Sequence, residues 1–260
     1  SSYKKERRIH MGRKTFQELS LIDDYFSNAI ASNEEINTDC YRLLLSVLLE
    51  KEIGQIHVIA QRMIPGTSPE QRGIRMDVEI KETEEGIITS VYDVEPHKQK
   101  NLDFPRHNRF YAAKIDGRYV ESGLKDFSKI PDLYVITITN FDIFGKNSMV
   151  YHFHNQCIEY PELAYHDGLH HIYFYTKGEE HGSHSIRNML RYIEDSHTCN
   201  VVDEATEQMD YYVNQIRNDA EMEGEYMTFG DLLDQERIEG KTEGKTEGEI
   251  IKLIKLIIKK

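Results

Sequence analysis

The sequence has no apolar run near the roughly 20 residues that a membrane-spanning helix requires, and its first residues, SSYKKERRIHMGRK, contain no apolar stretch of the kind found in a signal peptide. These absences point to a cytoplasmic protein without a membrane partner. Cysteine is scarce: Cys40, Cys157 and Cys199 are odd in number, far apart and without a C-x-x-C pair. A disulfide framework and a cysteine-rich zinc site are therefore excluded, and the three read as reduced thiols. Positive charge is also short. Against 45 Asp and Glu stand 32 Lys and Arg, a net charge of −13, which argues against broad, non-specific coating of nucleic acid. A local exception runs through Lys98, Lys100, Arg106, Arg109, Lys114 and Arg118, a stretch with few acids that is suited to a basic groove.

At 260 residues, with 39% apolar and 10% aromatic residues, the chain is long enough to bury a core. Apolar residues at helical spacing over Leu21–Ile30 predict a first helix, with Asp23 and Asp24 suited to its N-terminus. Asn37, Thr38 and Asp39 offer caps for a leucine-rich second helix over Cys40–Leu49, which Gly54 is expected to end. β-Branched residues then rise from Ile56 to Met63, and Pro65-Gly66 marks a turn. Arg75–Lys81 alternates apolar and polar residues, Glu84-Glu85-Gly86 turns the chain, and Ile87–Glu95 returns, which predicts a β-hairpin. A helix follows over Arg106–Val120, with Phe110 and Ala113 on one side. Leu133–Thr139 is an apolar, β-branched run typical of a strand covered on both faces. Further strands are expected at Met149–Phe153 and His170–Tyr175, and helices from about Ile186. Arg237–Gly248 repeats a short E-G-K-T unit, and Ile250–Ile258 is aliphatic and punctuated by lysines. This tail reads as a solvated helix or as an amphipathic segment for a partner.

Within the hairpin, Asp77 near the start of one strand and Glu95 near the end of the other are 18 residues apart, and antiparallel pairing brings such ends together. Two converging carboxylates suit a hard cation such as Mg²⁺ or Mn²⁺, which activates water and neutralises charge developing on a phosphate. His97 shares the face of Glu95 if the strand continues through Pro96. Spacing alone fits an ordinary hairpin equally well, since a solvent-facing side also carries Asp, Glu and Lys. The histidines His152, His154, His170 and His171, with Cys157, lack the context of a zinc site and read as local strand polarity. The loop holding Gly178, Gly182 and Ser183 lacks the Gly-Lys-Ser/Thr of a P-loop.

The order of segments resembles the PD-(D/E)XK nuclease family transposases, the recombination-promoting nucleases. Leu19–Phe26 is similar to the family's L-T-x-x-D-D-F-M-F signature. Arg75-Met76-Asp77-Val78 is similar to its R-x-D-V strand, and Tyr92-Asp93-Val94-Glu95 to its Y-D-I-E strand. Arg109-Phe110-Tyr111 resembles its R-x-Y-Y helix, Asp132–Gly145 its D-x-Y-V-I-F-I-x-x-x-D-x-F-G strand and turn, and Tyr226–Phe229 with the E-G-K repeats its C-terminus.

The resemblance implies a restriction-endonuclease-like α/β fold, a mixed central sheet flanked by helices, over residues 15–180. An extension (1–14) precedes it, and a helical region (181–236) and a tail (237–260) follow. It further implies a Mg²⁺-dependent DNA endonuclease, with Asp77 and Glu95 as catalytic metal ligands and His97 assisting the water. Arg75, Lys98, Lys100 and Arg109 would contact DNA, and the tail would support a homo-oligomer. Two positions depart from the family. Where relatives read E-x-Q, and the wider superfamily E-x-K, this chain has Glu95-Pro96-His97. Where relatives often carry a metal-assisting glutamate, the helix around Leu45 is aliphatic. The alternative that these departures raise is a degenerate nuclease fold that binds nucleic acid or a protein.

Overall fold

The alternation of apolar residues through the strands builds a sheet with two unlike faces, and the helices sort themselves onto those faces. The computed structural model describes residues 14–64, 74–100, 102–120, 125–228 and 230–231, with backbone only at 64, 74 and 75. The Pro65-Gly66 turn, the N-terminal extension up to residue 13 and the 237–260 tail lie outside the described residues.

Leu19–Ile216 forms one compact unit. Its six-stranded mixed sheet runs in the order β1-β4-β5-β6-β8-β7, with β1 at Gln55–Ala60, β4 at Val78–Glu84, β5 at Ile87–His97, β6 at Asp132–Thr139, β7 at Val150–Phe153 and β8 at Leu169–Tyr175. A two-stranded ribbon of β2, Met63–Ile64, and β3, Ile74–Arg75, stands apart. The hairpin β4–β5 is antiparallel as expected, while β5–β6 and β6–β8 are parallel. The central strand β6 is buried along most of its length, as its continuous apolar run predicts.

One face presents Val58, Ile80, Val94, Pro96, Ile136 and Ile138. Against it lie α1, Asp24–Ser32, α2, Asn37–Leu49, and the later helices α4, His184–Glu194, and α5, Glu204–Arg217. Leu45 and Phe26 are fully buried there, and Cys40 Sγ meets Met209 Sδ at 3.4 Å. The backbone N–H of Ile22 donates to Ile193 O at 3.1 Å, tying the start of the unit to α4.

The opposite face is covered by α3, Phe104–Asp116, which Asp103 caps by accepting from the Arg106 N–H. This helix starts earlier than expected because Pro105 sits in its first turn, where a missing N–H costs nothing. It buries Phe104, Asn108, Ala112 and Ile115, so the side carrying Phe110 and Ala113 faces outward. The second helix ends at Glu50, whose left-handed φ of 50° closes it four residues before Gly54. Among the described residues no helix is long and apolar enough to cross a membrane.

A second unit combines the segment ending at Glu18 with the segment starting at Arg217. Its backbone is helical over 220–228, the Tyr226 hydroxyl donates to Lys14 O at 2.8 Å, and Gln17 Nε2 donates to Arg217 O at 2.9 Å.

Candidate active site

Polar residues at every second position of β4 and β5 need not face water. Here they point at α3 and are buried: Glu79 and Asp93 are 0% exposed and Glu95 is 4% exposed. An ordinary solvent-facing hairpin is thereby overturned. Register explains the clustering. The ladder ends with Glu79 paired to Asp93 and Val78 to Val94, and Asp77, in the bend just before β4, lies close enough to Glu95 for its charge to act there. Asp77 follows β3, its carbonyl accepting from Gln61 N at 2.8 Å.

The strand does continue through Pro96 to His97. β4 stops opposite Val94, so at Pro96 β5 has a sheet neighbour on one side only, and a residue without an N–H is tolerated there. His97 shares the face of Glu95, and its Nε2 lies 3.2 Å from Glu95 Oε2. His107 from α3 brings its Nδ1 to 4.0 Å from the same oxygen, and its ring packs on Tyr111 at 4.1 Å. The His97 ring rests edge-on against Phe104.

Burial raises the Glu95 carboxyl well above the usual range, and the Asp77 charge raises it further. Asp93 is raised in the same way by burial, then by Glu95, Asp77 and Glu79. Burial lowers His97, opposed by the charges of Asp77 and Asp24, so the imidazole favours its neutral form. Glu79 is held by cationic and hydroxyl partners: Arg118 Nη1 at 2.6 Å, the Tyr119 hydroxyl at 3.2 Å and Lys81 Nζ at 3.6 Å.

Both Asp93 oxygens are buried without a hydrogen-bond partner. A protonated Asp93 beside like charges has a definite consequence for stability. Because its folded pKa is raised, folding takes up a proton; the resulting stabilisation is complete below the unfolded carboxylate range, about 4, and is lost as pH rises through the folded value. In metal-free buffer the native chain is expected to lose stability as pH rises above about 4, by up to ~1.4 kcal/mol per pH unit for each such proton. Asp93→Asn should flatten that slope in urea unfolding. Identical pH profiles for the two proteins would remove Asp93 as its source.

The carboxylates are hard oxygen donors, and the partnerless Asp93 oxygens are a place where a nearby cation would be favourable, so the donor set fits Mg²⁺ or Mn²⁺. Among the described residues no three His, Cys, Asp or Glu side chains form a ready-made cage. Mg²⁺ is suited to such a site, since it binds through one or two carboxylates and keeps waters or phosphate oxygens for the rest.

The basic segment is largely engaged within the protein. Lys98 Nζ bonds Asp23 Oδ1, Arg106 bonds Asp103, Arg118 bonds Glu79, and Lys100 lies over the Phe141 ring at 5.3 Å. Arg109 is exposed on α3, and Arg75 contributes its backbone to β3. Alternation read only from Glu95 to His97 missed Asp93 and Glu79, although the same period reaches Asp93 backwards from Glu95 and Glu79 forwards from Asp77. His107 and Asp24 carry no such signal, because they arrive from helices, where strand alternation does not apply.

No family model matches the chain, and neither a curated protein nor a solved structure matches it.

Proposed function

We propose that this chain is a divalent-cation-dependent DNA endonuclease with a restriction-endonuclease-like sheet, akin to recombination-promoting nucleases. The observation that carries the reading is the closeness of half-buried Asp77, in the bend just before β4, to the buried Glu95, on which its charge acts, with His97 on Glu95. Strongly perturbed carboxylates in one cluster are a mark of functional sites.

Asp77 and Glu95 would hold Mg²⁺ or Mn²⁺, which when bound supplies charge neutralisation on the phosphate and a more acidic water. His97, neutral through burial, accepts the proton as the water oxygen attacks phosphorus. The P–O bond to the leaving sugar oxygen then breaks, and that oxygen is protonated from solvent. Arg109 is exposed to meet a backbone phosphate, while Lys98 would first have to leave Asp23.

The test is incubation of supercoiled plasmid with the purified full chain and Mn²⁺ or Mg²⁺, paired with thermal unfolding in the same buffers. Cleavage is expected only with the cation, together with a rise in unfolding temperature; at a concentration 100 times Kd the stabilisation is about 2.7 kcal/mol. A cation-induced rise without cleavage of double- or single-stranded DNA would favour the degenerate binding module instead. That second reading draws on the internal pairing of Lys98, Arg106 and Arg118. Neither cleavage nor a rise would leave the reading without support.

A further inference from the structure

On the sheet face opposite the carboxylates, three rings line up where the cross-strand register demands it. Tyr92, Tyr134 and His170 are successive partners on β5, β6 and β8. They stack face to face, Tyr92 on Tyr134 at 4.8 Å and Tyr134 on His170 at 4.4 Å with 13° between the planes. Lys51, just past the end of α2, sits over Tyr134 at 4.3 Å. Beyond this point α2 no longer covers the sheet, and a cavity of about 720 Å³ opens between the sheet and the loop 155–168. That is within the range of small-molecule sites, about 300–1,000 Å³.

The far wall is built rather than incidental. Asn155 Nδ2 donates to Asp167 Oδ2 at 2.6 Å, Asp167 Oδ1 accepts from Leu169 N at 3.2 Å, and Gly168 O accepts from Leu133 N at 2.8 Å. Gly168 has φ +73°, and a Cβ there would lie 2.5 Å from Asp132 Oδ1, so only glycine permits this approach. Leu163 and Tyr165 line the cavity yet remain 56% and 61% exposed.

The stack has more imidazole beside it. On β7, His152 pairs with Ile172 and so shares the face of His170, and His154, just past the end of β7, lines the same cavity. Burial lowers His152 and His170, and the neighbouring imidazoles lower His152 further, so both favour the neutral form, in which each ring offers one donor and one acceptor. Asp132, Glu162 and Asp167 line the same space against the single cation Lys51, which disfavours an anionic ligand.

We propose that this cavity is a binding site for an uncharged planar nitrogen heterocycle of nucleobase size, stacked on the His170 platform and bonded by the histidine and carboxylate edges. It is distinct from the Asp77–Glu95 cluster and does not depend on the nuclease reading. Base-on-ring stacking is a substantial and sequence-tolerant source of affinity, which is why flat rings are the favoured occupants.

The probe is adenosine, titrated calorimetrically into the full chain at pH 7.5, with adenosine 5′-monophosphate as the charged comparison. Adenosine is expected to bind, and the monophosphate more weakly. His170→Ala should weaken adenosine about tenfold with circular dichroism unchanged. His170→Phe, which keeps a flat face, should retain more of the affinity than the alanine variant, and Asp77→Ala should leave it unaltered. No binding of adenosine to the native chain, equal binding by His170→Ala, or tighter binding of the monophosphate would each overturn the assignment. If His170→Ala unfolds, His170→Phe measured against the native chain, which should keep most of the affinity, and the preference for the uncharged nucleoside still decide it.

Discussion

Asp77→Ala and Glu95→Ala are each expected to reduce Mg²⁺-dependent plasmid cleavage at least ~10²-fold, the scale seen when one charge-stabilising group is removed from an active site. The geometry gives both a secondary effect on stability. Glu95 is 4% exposed and raised by burial and by Asp77, so removing either carboxylate relieves repulsion in the metal-free protein. Both variants should therefore be at least as stable as the native chain without cation, and both should lose the cation-induced rise in unfolding temperature. A variant that folds, fails to cut and still gains stability from Mn²⁺ would show that its carboxylate is not a ligand. His97 adds a finer comparison. Its Nε2 lies 3.2 Å from Glu95 Oε2, and it stands where the resembled family has glutamine. His97→Gln should cut faster than His97→Ala if the residue orients water, and no faster if its proton-accepting nitrogen is what matters. Equal activity in His97→Ala and the native chain would exclude both roles.

The second large effect concerns stability. Arg118→Met is expected to cost about 3 kcal/mol, the low end of the range for breaking a buried ion pair. Glu79 is 0% exposed and receives Arg118 Nη1 at 2.6 Å, so the variant leaves a buried carboxylate with Lys81 at 3.6 Å, Arg62 at 3.8 Å and the Tyr119 hydroxyl. These remaining partners keep the loss at the low end. The loss should be read as a fall in the urea midpoint with an unchanged slope, and Glu79→Gln added to Arg118→Met should recover most of it. A loss below about 1 kcal/mol, typical of an exposed pair, would mean that water replaces Arg118. The same experiment bears on the site, since Glu79 is the direct register partner of Asp93. With Arg118 gone and only the longer Lys81 and Arg62 pairs left, Glu79 would push Asp93 still further toward its protonated form.

Much of the scaffold was legible from the chain. Period-two alternation located the β4–β5 hairpin, and the apolar run of Leu133–Thr139 located the central strand, because sheet geometry imposes these patterns residue by residue. The start of α3 was less legible. A proline in the first helical turn looks like a break in sequence and acts as a start in structure, and the buried side of the helix depends on which sheet residues it meets. The end of α2 lies at Glu50 in a left-handed conformation, a choice that local composition does not encode as strongly as a glycine would.

What the sequence determined by itself is therefore the six strands of the main sheet and the β4–β5 hairpin, since these follow from local alternation and a tight turn, whereas the hairpin's register past Thr83 is set by a bulge that alternation does not encode. Tertiary structure decided the rest. It laid α3 over the polar side of the hairpin, turning apparent surface carboxylates into a buried, mutually repelling cluster. It brought in His107 from the next helix and Asp24 from a helix distant along the chain, and it gave Lys98 and Arg118 partners within the protein. Alternation specifies two faces but not which is covered; that depends on long-range packing, because dielectric environment is a property of everything around a residue rather than of its neighbours in sequence.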